Sequence, residues 1–113
     1  MQYLALIYST EGSSEGVPAD LMQQYGAYTK DVIAAGVFKA GDALQGTETA
    51  TSIRVRNGER QLTDGPFAET KEQLGGYYLL ECDSLDEAID WAARIPSAQF
   101  GTIELRPIML YDV

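Results

Sequence analysis

Histidine is absent from this sequence, and its absence removes a wide range of chemistry. Without imidazole there is no serine–histidine or cysteine–histidine nucleophile pair, no histidine proton shuttle and no histidine-ligated metal. Cysteine is almost as scarce. Cys82 stands alone, which excludes a disulfide within the chain and a cysteine-based zinc site. Basic side chains number 8 against 17 acidic ones, for a formal net charge of −9. A surface this acidic repels phosphate backbones and argues against a nucleic-acid partner. No apolar run approaches the ~20 residues that span a bilayer, and no secretory leader opens the chain. The expectation is a reduced, cytoplasmic protein with no membrane partner, no metal and no cofactor. Any catalysis would rest on carboxylates, Tyr, Lys or Arg.

With 113 residues, 45% of them apolar, the chain suits one domain with a real core. Tyr3–Tyr8 is a short apolar run that reads as a strand, and Ser9–Gly16 as a loop. Leu21, Tyr25, Tyr28 and Val32 follow at helical spacing, which predicts a helix from Pro18 to Ala35 closed by Gly36. Val37–Leu44 reads as a strand interrupted by Gly41. Ile53 and Val55 alternate with Arg54 and Arg56 ahead of Asn57-Gly58, a two-residue hairpin signal that sets Arg56 opposite Glu59. Asp64–Gly76 reads as an ordered loop and Tyr77–Cys82 as a strand. Ser84 and Glu87 fit a capping box before a helix that Pro96 stops, and Thr102–Leu110 reads as the last strand.

The order is thus β-α-β, a hairpin, then β-α-β. It predicts an α+β, ferredoxin-like sheet with two helices on one face. Yet the first strand is apolar on both sides: Tyr3, Ala5 and Ile7 against Leu4, Leu6 and Tyr8. The strand at Tyr77–Cys82 repeats the pattern. Two helices cover one face only. A homodimer formed through the second sheet face is therefore expected, with polar loops folded over that face as the alternative.

Candidate chemistry centres on Asp64-Gly65-Pro66-Phe67. Asp64 is either a catalytic or ligand-contacting carboxylate at a cleft mouth, or a turn-former beside a Phe67 that plugs the core. Glu69, Lys71 and Glu72 form either a carboxylate–ammonium group or a solvated charged loop. Asp42 faces solvent from an edge or bulge, or else enters a pocket. Arg54, Arg56 and Arg106 suit an anion clamp or a wet strand face. Tyr25 and Tyr28 lie on the helical stripe as core or cleft lining. For Cys82 and Trp91 a packing role is expected.

The run Asp64-Gly65-Pro66-Phe67-Ala68-Glu69-Thr70-Lys71-Glu72, followed by Leu74-Gly75-Gly76-Tyr77-Tyr78, resembles the hallmark of the DGPF proteins of the YCII-related superfamily. The likeness extends to Met1–Tyr8, Glu48–Thr51, Asp86–Pro96 and Gly101–Pro107, nearly the whole chain. It implies a ferredoxin-like fold that dimerises into an α+β barrel, with Asp64, Gly65, Pro66, Phe67, Glu69, Lys71 and Glu72 as family positions. It also implies an accessory or regulatory role, suspected for members encoded beside extracytoplasmic-function sigma factors. More distant relatives resemble enzymes that use a histidine–aspartate pair on small aromatic or lactone compounds. Many DGPF members carry a histidine where this chain has Phe100. Two readings follow: a dimeric module that binds a small acidic or aromatic ligand, or a histidine-independent enzyme of isomerase or lyase type. In the second, Asp64 is the base, and Lys71 or an arginine holds the substrate.

Overall fold

A computed structural model describes residues 1–111. Strand β1 (Gln2–Ser9) leads through helix α1 (Leu21–Ala34) to β2 (Phe38–Ala43). A short 3-10 turn at Thr47–Thr49 precedes β3 (Thr51–Arg56) and β4 (Glu59–Asp64). Then come β5 (Gln73–Glu81), α2 (Leu85–Ala93), a second 3-10 turn at Pro96–Gln99, and β6 (Thr102–Pro107). The main sheet has the order β2-β5-β1-β6, all neighbours antiparallel, and β3–β4 form a separate two-stranded sheet. Each β-α-β unit returns to the sheet with one strand of the other unit between its own two. This is the α+β, ferredoxin-like arrangement, with a hairpin inserted between β2 and β5.

Both helices cover the same sheet face. Tyr28 and Val32 of α1 and Ala88 and Ala92 of α2 pack with Tyr3, Ala5, Ile7, Tyr78, Leu80 and Cys82. Cys82 is fully buried there, and desolvation followed by the nearby Glu87 charge pushes its thiol up. The geometry matches the packing role expected of it. The opposite face carries Leu4, Leu6, Tyr8, Tyr77 and Leu79, half-buried, with no helix over them.

Local signals explain most boundaries. Helix α1 ends in a Schellman closure: Gly36 has φ 75°, its N–H donates to Ile33 O, and Val37 N–H donates to Val32 O. Its start lies at Leu21 rather than at Pro18, because Pro18–Asp20 form a turn from which Leu21 N–H reaches back to Pro18 O. At α2 the Ser84 hydroxyl accepts from Glu87 N–H, while Glu87 Oε2 accepts from Asp83 N–H. Asn57 and Gly58 both have positive φ, and Arg56 pairs with Glu59 as the hairpin signal required.

Three expectations need correction. The segment 64–76 is not one loop: Asp64 closes β4, and β5 begins at Gln73, its register with β1 slipping between Ile7 and Tyr8. The irregularity of β2 falls between Phe38 and Ala40 rather than at Gly41. The last strand stops at Pro107, with Ile108 N–H still bonded to Gln2 O and Met109 and Leu110 exposed.

Candidate functional site

The first turns of α1 lie over the end of the sheet where β2 meets β5, and they enclose a cavity of about 350 Å³. Its apolar walls come from Ile7, Leu21, Met22 and Phe38, with the backbone of residues 41–43 and 75–77 at one side. Glycine makes the close approaches possible. A Cβ on Gly41 would stand 2.9 Å from the Tyr78 ring, and one on Gly76 would stand 2.9 Å from Asp42 O.

Beside Ser9, Asp42 and Tyr77, the lining includes four hydroxyls in two pairs. Tyr25 Oη lies 2.6 Å from Ser97 Oγ, and Thr29 Oγ1 lies 2.7 Å from Tyr78 Oη. Each pair uses one proton between its partners, so one proton per pair remains to donate, along with spare lone pairs. Burial raises the Tyr25 phenol above its ordinary range, outweighing the opposing Ser97 contact, so it stays a neutral donor. Among the described residues, no lysine or arginine lines this cavity, and Asp42 is its one charged residue.

Asp42 lies on edge strand β2, opposite Tyr77. Tyr77 Oη donates to Asp42 Oδ2 at 3.0 Å, and that hydrogen bond and the carboxylate charge together raise the phenol. Tyr78 faces the helices, so alternation along β5 turns Tyr77 and its partner to the open sheet face. Asp42 thus meets both descriptions given for it: it is an exposed edge residue, and it belongs to the cavity rim.

Of the other candidates, Tyr25 lines the cavity, whereas Tyr28 is buried beside it. The Tyr28 hydroxyl donates to Trp91 O at 2.9 Å, and burial drives its phenol far above the ordinary range. Arg106 lies exposed on the open face of β6, opposite Leu4, with Glu104 at 4.0 Å. The segment from Asp64 to Glu72 lines neither this cavity nor the shallower pocket between Gln24, Tyr28 and Arg94. The Asp64 carboxylate accepts no hydrogen bond there. The turn is held instead by Gly65, whose N–H donates to Ala50 O and whose carbonyl accepts from Ser52 Oγ. Phe67 is 80% exposed and does not plug the core, contrary to the turn-former alternative. Glu69 is exposed, the Lys71 carbonyl accepts from Thr10 Oγ1, and Glu72 Oε1 accepts from Thr102 Oγ1. Arg54 and Arg56 extend on the hairpin, away from the cavity.

Five hydroxyl-bearing residues of the lining escaped the sequence reading: Ser9, Thr29, Tyr77, Tyr78 and Ser97. Thr29 had a usable signal, since it follows Tyr25 by four residues and shares its side of α1. Among the described residues, no cluster of three or more metal-ligating side chains occurs, and no helix is long and apolar enough to cross a membrane.

Comparison with known proteins fits this architecture. Residues 1–112 match the YCII-related domain. An uncharacterised protein of Rhizobium meliloti (strain 1021) is 38% identical over 117 residues, spanning 98% of this chain and 94% of that protein. Among solved structures, 5-chloro-2-hydroxyhydroquinone dehydrochlorinase from Burkholderia phenoliruptrix AC1100, in complex with 2,5-dihydroxybenzoquinone, superposes with a TM-score of 0.59. The two share 18% identity over 96% of this chain and 94% of the dehydrochlorinase, a likeness of fold.

Proposed function

The chain belongs to the YCII-related domain family, and from that premise we propose that it is a homodimeric small-molecule-binding module. Its ligand is a small, neutral, hydroxylated aromatic compound seated between α1 and the β2–β5 end of the sheet. One observation carries the reading: a cavity of about 350 Å³, the size of a small-ligand site, whose lining includes two neutral hydroxyl pairs and, among the described residues, no cation. An aromatic ring fits the apolar walls, and its hydroxyl or carbonyl groups take the spare protons and lone pairs. Of the acidic and aromatic ligands expected from sequence, the lining favours the aromatic. An anion would lose its hydration with no cation in the lining to offset the cost. The ligand of the dehydrochlorinase, a dihydroxylated ring, supports the same class by analogy of fold.

The homodimer is part of this reading. Leu4, Leu6, Tyr8, Tyr77 and Leu79 on the helix-free face support it, as does the accessible surface of 8135 Å². A compact monomer of this size exposes roughly 6,100 Å², leaving an excess of about 2,000 Å². A standard interface takes about 800 Å² from each partner. A regulatory or accessory role in the cytoplasm belongs to the same reading, and the lone buried thiol of Cys82 suits a reducing compartment.

The second reading, an enzyme, is favoured only by the shared fold with a dehydrochlorinase. Asp64 is poorly placed as its base, because it is exposed and does not line the cavity. Asp42, among the residues that border the cavity and bonded to Tyr77, is the better-placed acid. Calorimetric titration with hydroquinone, catechol and benzoate tests the binding proposal. Hydroquinone or catechol should bind, benzoate should bind at least tenfold more weakly, and Ala43→Trp, at the cavity mouth, should abolish binding. Equal affinity for benzoate, or no effect of Ala43→Trp, would overturn it.

A further inference from the structure

The β3–β4 hairpin is an arm without a support in its own chain. No residue of it belongs to the buried cluster, and its polar ties run only to its base at residues 50 and 65. The chain departs from the end of the main sheet, where Leu44 N–H makes its bond to Gly75 O. The radius of gyration is 16.1 Å, against roughly 13 Å for a compact chain of this length. A two-stranded hairpin alone in water is marginal at best and needs a surface to lie on.

Its side chains describe that surface. The cross-strand partners Ile53 and Leu62, with Val55, share one face of the ribbon, and each is 57 to 64% exposed. Arg60, the partner of Val55, shares that face, while Arg54 and Arg56 stand on the other, and none of the three joins an ion pair among the described residues. Residues 51–64 hold three arginines and two acids, a net +1, so the remainder of the chain carries −10. An apolar strip that ends in Arg60 is complementary to an apolar surface bordered by carboxylates. The helix-free face fits that description: Leu4, Leu6 and Leu79, with Asp42 and Glu104 on the same side and Arg106 beside Glu104. The arm's six-residue strands span about 20 Å, enough to cross a four-stranded sheet.

We propose that the β3–β4 hairpin is an intersubunit arm. Its Ile53–Val55–Leu62 side packs on the body of a second copy of this chain, at the margin of the helix-free face, and Arg60 lies against that copy's carboxylates. The inference rests on the homodimer proposed above and names the segment that each subunit lends to the other.

The test uses the full chain. Multi-angle light scattering at micromolar concentration should give two chains for the wild type. The double variant Ile53→Asp/Leu62→Asp should give one chain, with the near-ultraviolet circular dichroism of the body unchanged. Arg60→Glu should raise the dimer dissociation constant at least threefold at low salt, with a smaller effect at high salt. For contact mapping, Val55→Cys carries a benzophenone and is mixed with 15N-labelled wild type. Photolysis should join the arm to 15N peptides of the second chain's body. A dimer that survives both the double variant and Arg60→Glu, with adducts confined to the benzophenone-bearing chain itself, overturns the arm while leaving the paired sheet faces standing. A wild type that is a single chain overturns both. Loss of hydroquinone binding alone touches neither.

Discussion

Tyr25 Oη and Ser97 Oγ lie 2.6 Å apart although 72 residues separate them in the chain. This bond fastens α1 to the 3-10 turn that follows α2, at the wall of the cavity. Ser97 is 5% exposed, so its hydroxyl has little recourse to solvent. Tyr25→Phe strands that hydroxyl and should cost about 1–2 kcal/mol. Ser97→Ala should cost less, because the half-buried Tyr25 phenol can turn to water in the cavity. The double variant should cost less than the two singles together, with a coupling of about 0.5–1.5 kcal/mol. Urea denaturation of the four proteins measures it, and strict additivity would mean that the hydroxyls act independently.

Gly41 governs the shape of the cavity through the Tyr78 ring. A Cβ there would stand 2.9 Å from Tyr78 Cδ1 and 3.1 Å from Tyr77 O. Gly41→Ala must push the ring toward α1, loosening the bond between Tyr78 and Thr29. The expected destabilisation is about 1–3 kcal/mol, as for other overpacked sites. Affinity for hydroquinone should fall with it. Gly26→Ala is the control, since a Cβ there meets nothing within 4 Å and the position is helical. That variant should hold or gain stability by up to about 1 kcal/mol.

The fold was legible where a local pattern and the tertiary structure agree. The Leu21-Tyr25-Tyr28-Val32 stripe, Gly36, the Asn57-Gly58 turn and the Ser84–Glu87 cap each act within a few residues, and each operates as its chemistry dictates. The start of β5 was not legible, because Gln73 and Leu74 join the sheet only through a register slip against Ser9 and Tyr8. The site divides in the same way. Tyr25 and Asp42 stand out in the sequence, one on a helical stripe and one breaking an apolar strand. Ser97 and Tyr78 gain meaning only from partners 72 and 49 residues away. The segment Asp64–Glu72 carries the strongest motif, yet it is largely exposed and stands apart from the cavity.

Ser84 and Gly101 should separate a local contribution from a tertiary one. Ser84→Ala removes the acceptor for Glu87 N–H and should cost about 1 kcal/mol, the usual worth of such a cap. Gly101→Ala is a different matter, because its Cβ would run into the Tyr8 carbonyl and crowd Ser97 O at 3.2 Å. Relief requires β6 to shift against β1. The loss should exceed 2 kcal/mol, within the range of severe overpacking. Melting temperatures should therefore rank wild type, Ser84→Ala, then Gly101→Ala.

Alkaline pH should expose the buried phenols. Tyr25 and Tyr28 are raised chiefly by burial, and Tyr77 chiefly by its bond to Asp42. A group whose folded pKa is raised contributes stability that is fully present below its unfolded value, about 10 for tyrosine. That stability is lost as pH climbs from there through the folded value, because the unfolded chain releases the proton first. Stability should then drop steeply above about pH 10. Absorbance at 295 nm should show a set of phenols ionising later than free tyrosine, with the Tyr28 share appearing only as the chain unfolds. Tyr28→Phe should remove that last component. Asp42→Asn should bring Tyr77 back toward its ordinary range, since the charge that opposes phenolate formation is gone while a hydrogen-bond acceptor remains. An unchanged Tyr77 titration in Asp42→Asn would mean that the 3.0 Å contact does not govern its proton.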